Sequence, residues 1–150
     1  MATAALIVSL LVAAVGLATG FWGSWLWYRF EAANRYWIAI RATQAGALLL
    51  ALLAGVVWAT GTHPDNWLFW LYTLLPVAVS LVAEQLRVVA AEQVLERRGL
   101  AGAAEVAELD AAAQRSVVRE IVRREVGIMT AAALVIGFLA LRVVVERGGI

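Results

Sequence analysis

MATAALIVSLLVAAVGLATGFWGSWLWY, residues 1–28, carries no charged side chain. A helix rising about 1.5 Å per residue needs about 20 such residues to cross the hydrocarbon core of a bilayer. A secretory signal would open on basic residues and hold a shorter apolar core, so this segment is expected to remain as a span. Three further charge-free runs follow at 42–62, 66–83 and 126–141. The third reaches spanning length by taking in Glu84 and Gln85. The fourth takes in Arg142, whose long stem lets the guanidinium snorkel to the interface. The expected spans are 4–27, 38–60, 66–86 and 125–145.

Composition points the same way. Of 150 residues, 63% are apolar and 15% charged, with a mean hydropathy of +0.83. Soluble domains average about 45–50% and about 25%, so a soluble chain of this kind would leave too much hydrocarbon in water. Within lipid, a free backbone N–H or C=O finds no partner, which forces helices. The alternating segments of about ten residues that build a barrel are missing. The expected fold is all-α: one integral membrane domain over residues 1–150, a four-transmembrane-helix antiparallel bundle.

Aromatic residues mark the interfaces. Phe21, Trp22, Trp25, Trp27, Tyr28 and Phe30 close the first span, and Tyr36 and Trp37 open the second. Trp58 ends the second, and Trp67, Phe69, Trp70 and Tyr72 begin the third. Such rings favour the headgroup level, so two belts are predicted. Arginine sets the orientation. Ten arginines (29, 35, 41, 87, 97, 98, 115, 119, 123 and 124) lie on the side of the first and third loops, against only Arg142 and Arg147 on the other. That bias places those loops in the cytoplasm and both termini outside. All twelve basic residues are arginine, and Ala, Val, Gly and Leu abound, the composition of a GC-rich bacterial genome. A bacterial inner membrane is the expected location.

Nothing interrupts the helical pattern from Pro76 to Arg98, so the third helix is predicted to leave the membrane and stop at the turn Gly99–Gly102. Val106, Leu109, Ala113, Val117 and Ile121 then recur at helical spacing, predicting a second helix from 103 that feeds into the fourth span. Residues 87–124 should thus form a cytoplasmic hairpin with an acidic tip (Glu105, Glu108, Asp110) and a basic root (Arg115, Arg119, Arg123, Arg124). The hairpin reads as a solvated helix face, as a docking surface for a partner, or as an amphipathic helix lying on the leaflet.

Gly16 and Gly20 form a GxxxG pair, extended by Gly23, which suits close helix contact within the chain or between subunits. Ala51 with Gly55 and Ala133 with Gly137 are looser versions. Pro76 removes one helical hydrogen bond inside the third span, giving a kink or a hinge. The main polar cluster comprises Arg41 and Gln44 on the second helix with Glu84, Gln85 and Arg87 on the third. Ionisable groups at a helix centre cost about 2.5–3.5 kcal/mol on insertion scales, so such residues are expected to pair. Either they clamp two helices together, or Glu84 serves as a proton or cation site.

Cysteine is absent, which excludes disulfides, thiolate metal sites and cysteine nucleophiles. His63 and Asp65 sit in GTHPDN, where two ligands without a third make a poor metal site and read instead as a turn capping the third helix. Phosphate-binding glycine loops, hydrolase elbows and zinc-protease helices are missing. No cofactor and no nucleic acid is expected; the lipid bilayer is, with a second copy or a membrane-complex partner. The sequence points to a non-enzymatic oligomeric or accessory subunit, with a small transporter or channel built on Glu84, Arg87 and Arg41 as the alternative.

Overall fold

The computed structural model describes residues 2–31, 33–61 and 67–148. All regular structure in them is helical: α1 (Ala2–Arg29), α2 (Asn34–Ala59), α3 (Trp67–Arg97), α4 (Ala103–Glu108) and α5 (Ala111–Gly148). Four of these, α1, α2, α3 and α5, are long and apolar enough to cross a membrane. The turn predicted around His63 and Asp65 lies outside the described residues.

α5 is the axis of the fold and packs chiefly against α1 and α3. Contacts along α1 and α5 run in opposite senses: Gly16 meets Gly137, Gly20 meets Leu134, and Gly23 meets Thr130. A Cβ on Gly16 would fall 2.9 Å from the Gly137 Cα and 3.1 Å from the Ala133 carbonyl oxygen. Only glycine lets the two backbones come this close. The GxxxG pair of α1 therefore meets the Ala133/Gly137 pair of α5 inside the chain. By contrast, among the described residues no neighbour outside its own stretch of helix lies within 4 Å of a Cβ built on Gly55.

The space above Gly23 is filled by Tyr36, which is completely buried. The Tyr36 hydroxyl lies 2.9 Å from Thr130 Oγ1 and donates a longer bond of 3.4 Å to the Val126 carbonyl. Trp22 and Trp37 stand edge-on to its ring at 6.0 and 5.6 Å between centroids. The belt assignment thus fails for Tyr36 and also for Phe69, which joins Ala54 and Val143 in a core cluster. Both face small residues across the helix interface, and burying their apolar surface there is favourable. Trp25, Tyr28, Trp58 and Trp67 are exposed, as belt residues should be. The Arg142 guanidinium reaches the Tyr72 ring at 5.6 Å.

α3 continues through Pro76 without interruption and ends on a left-handed Gly99, φ +69°. Leu100 N donates to the Leu95 carbonyl at 2.9 Å and Gly99 N to the Glu96 carbonyl at 3.0 Å, the paired bonds of a Schellman stop. The second arm departs from expectation. It is not one helix from 103: α4 lasts six residues, Leu109 is extended, and α5 starts afresh at Ala111. Asp110 causes the restart, because its Oδ1 accepts from Ala113 N at 3.1 Å and satisfies an end donor that a continuous helix would have used otherwise. Gln114 Nε2 holds the break by donating to the carbonyls of Ala107 and Leu109.

The end of α3 is tied to α5 rather than to α4. Arg98 donates to Glu120 Oε2 from Nη2 at 2.7 Å and from Nε at 3.2 Å, and to Ser116 Oγ at 3.2 Å. Hydrogen bonding from Arg98, chiefly, holds the Glu120 carboxyl below its ordinary range. A lowered folded-state value stabilises the pairing above the unfolded carboxyl's pKa of about 4.3, and that contribution fades as pH falls through the folded value. Once corrected for the intrinsic pH dependence of exchange, the protection of amides 95–100 should therefore fall as pH drops through the carboxyl range. Glu120→Arg should reproduce the acid effect at neutral pH, and adding Arg98→Glu should reverse it. Unchanged exchange in the single variant would refute the contact.

Candidate functional site

The polar cluster forms where α2 and α3 run side by side. Arg41 and Gln44 stand one turn apart on α2, and Glu84 and Arg87 occupy the same spacing on α3. Arg41 Nη1 donates to Glu84 Oε1 at 2.6 Å and to Gln44 Oε1 at 2.8 Å. Gln44 Nε2 donates to the same Glu84 oxygen at 2.9 Å. The other oxygen, Oε2, lies 3.3 Å from Arg87 Nη2. Glu84 thus receives one cation on each oxygen, and the two bonds from α2 converge on one of them. The Arg87 guanidinium also covers the Trp37 ring at 5.5 Å, so its unpaired face is not left bare in an apolar setting.

Four of the five residues singled out from the sequence come together. Gln85 does not: it is exposed on α3 and contributes none of these bonds. One residue joins that sequence reasoning passed over as a mere span boundary. Glu125 on α5 is half-buried and within electrostatic reach of both Arg87 and Glu84. Arg87 thus pairs with Glu84 and attracts Glu125 on another helix at longer range. The signal was present as a lone acidic residue directly after Arg123 and Arg124 at the start of an apolar run, but its partner lies 38 positions away on α3.

The cluster is most open at Arg41. Arg41 is 58% exposed, whereas Glu84 and Arg87 are 27% and 26% exposed. Behind it, the space lined by Ile40, Thr43, Gln44, Met129 and Ala133 amounts to about 10 Å³, near the lower limit for a single water. The arrangement can fasten helices and neutralise charge. Among the described residues, no three His, Asp or Glu side chains converge in a way that could hold a metal ion. Compared with protein-family models, curated proteins and solved structures, the chain matches none.

Proposed function

We propose that this chain is a multi-pass bacterial inner-membrane protein, non-enzymatic, acting as an oligomeric or accessory subunit of a membrane complex. Its four long helices form an antiparallel bundle, with the arginine-rich ends, the α3–α5 hairpin and α4 in the cytoplasm and both termini outside. The observation that carries the reading is the saturation of Glu84 by Arg41, Gln44 and Arg87, which supports a helix clamp. The same inference draws on the uneven burial of the helices. α1 and α5 bury the larger shares of their apolar windows, whereas α2 and α3 leave most of theirs uncovered. Ile38, Leu52, Val56 and Leu81 are exposed there, as is Gly55. Those surfaces suit lipid and helix partners.

Affinity capture of the full chain from native membranes in mild detergent tests the reading. Stoichiometric partners recovered reproducibly support it; a lone homo-oligomer moves the weight to the transporter alternative, which Glu125 beside Glu84 favours. Orientation is tested separately. Reporters fused at 33 or 101 should be cytoplasmic and those at 63 or 150 external. An introduced cysteine at 63 that labels only after the inner membrane is permeabilised would overturn the topology.

A further inference from the structure

A second site lies at the arginine-rich end of the α1–α5 pair. There α1 ends on a Schellman stop with Phe30 in the left-handed region, φ 59°. Glu31 N donates to the Leu26 carbonyl at 3.1 Å, and Phe30 N to the Trp27 carbonyl at 3.4 Å. Glycine is the residue this position favours, and a bulky side chain there carries a conformational cost. That conformation places the Phe30 ring 3.9 Å from the Arg123 guanidinium, which also lies 5.2 Å from Trp27.

These rings and α5 enclose a cleft of about 420 Å³. Its apolar wall is Leu26, Val118, Val122 and Val126, and its basic wall is Arg115, Arg119 and Arg123. The three arginines recur every fourth residue and so share one helix face. The ion pairs found among the described residues, Arg41–Glu84, Arg87–Glu84 and Arg98–Glu120, involve none of them. Arg115 Nε donates only to the Ala111 carbonyl in its own helix. Glu31 is the one acidic residue in the lining, so three positive charges face one negative. The apolar end, at Leu26 and Val126, lies toward the spanning part of both helices, and the basic end lies toward α4.

We infer that this cleft binds an anionic phospholipid of the leaflet at the arginine-rich end of the bundle, its phosphate held by Arg119 and Arg123 and its acyl chain lying along Val122, Val126 and Leu26. Charge and shape select this ligand together. A soluble anion has no use for the apolar wall, and a neutral lipid leaves the arginines uncompensated. The inference rests on the membrane reading above but not on which face is cytoplasmic.

Native mass spectrometry of the full chain released from nanodiscs of mixed phosphatidylcholine and phosphatidylglycerol tests it, since nanodiscs expose both faces. The parent should retain phosphatidylglycerol in preference to phosphatidylcholine. A basic residue near an anionic surface contributes roughly fivefold in affinity, so Arg119→Gln with Arg123→Gln should cut that preference by roughly 25-fold. Neutralising Arg35 and Arg97, exposed arginines outside the cleft, should change it less than about twofold. Val118→Trp would fill the cleft from an exposed position without altering charge, and should abolish retention in a chain that melts like the parent. Equal losses from both arginine pairs, or full retention by Val118→Trp, would overturn the site in favour of diffuse surface attraction. Displacement by millimolar glycerol phosphate would overturn the lipid in favour of a soluble phosphate. A failed topology assignment would appear in the cysteine labelling and leave these outcomes unchanged.

Discussion

Gly16→Ala should lower the unfolding midpoint of the detergent-solubilised chain, while Gly55→Ala raises it slightly or leaves it unchanged. The two substitutions add the same methyl group to a membrane helix and differ only in what that methyl meets. At Gly16 it meets the Gly137 Cα at 2.9 Å, the Gly137 nitrogen at 3.0 Å and the Ala133 carbonyl oxygen at 3.1 Å. All three are backbone atoms and cannot swing aside, so α1 and α5 must separate along their shared seam. Overpacking of this kind costs about 1–3 kcal/mol, set against up to about 1 kcal/mol gained from replacing glycine in a helix. Gly16→Leu removes any doubt about the sign and should leave little folded protein. Gly137→Ala should match Gly16→Ala, because its methyl would meet the Leu17 nitrogen at 2.7 Å. Gly20→Ala should be milder, since its nearest neighbour is the end of the Leu134 side chain. A Gly16→Ala chain as stable as the parent, with Gly55→Ala weakened, would move the GxxxG contact out of the monomer.

That gradient among glycines shows what the sequence could and could not disclose. Hydropathy located all four long helices, because the requirement to satisfy the backbone in lipid leaves no alternative to a helix over a charge-free run. The GxxxG spacing announced a close approach without naming its partner, since Ala133/Gly137 and Ala51/Gly55 have equal claims on paper. Only the packing gives Gly137 a backbone neighbour and leaves Gly55 open. Tyr36 was misread for a related reason. Its place at a span end matches a belt residue, but the hole at Gly23 and the hydroxyl of Thr130 that draw it inward lie on other helices. The break at Leu109–Asp110 escaped notice because apolar spacing continues across it. Asp110 acts there as a cap, which a period count does not register.

The polar cluster was more legible, and its chemistry decides between the two readings of the protein. Arg41, Glu84 and Arg87 stood out because charges in an apolar stretch are costly and seek one another. Gln44 joined them through its depth inside the second span, and Gln85 through the ridge it forms with Glu92 and Glu96 beside Glu84, a ridge that turns away from α2. Under the clamp reading, Glu84→Gln removes the carboxylate on which two guanidinium groups converge, leaving both at the membrane boundary without that compensation. The expected loss is about 1–3 kcal/mol, above that of an exposed ion pair and below that of a fully buried one. Arg41→Gln should destabilise less, because Arg41 is the more exposed partner and Arg87 still compensates Glu84. Combining Glu84→Gln with Arg41→Gln should cost less than the sum of the two, since the second change removes a cation already deprived of its partner. Under the transporter alternative the order reverses. Glu84→Gln should then melt like the parent, while liposomes holding the parent show a proton or cation flux that the variant lacks. Glu125→Gln is informative beside it, because Glu125 lies near Arg87 without entering the hydrogen-bonded set around Glu84. A clamp confined to α2 and α3 predicts a smaller stability loss there than at Glu84. A relay through both carboxylates predicts loss of flux from either variant. Normal melting of Glu84→Gln, with no flux in parent or variant, would sink both readings.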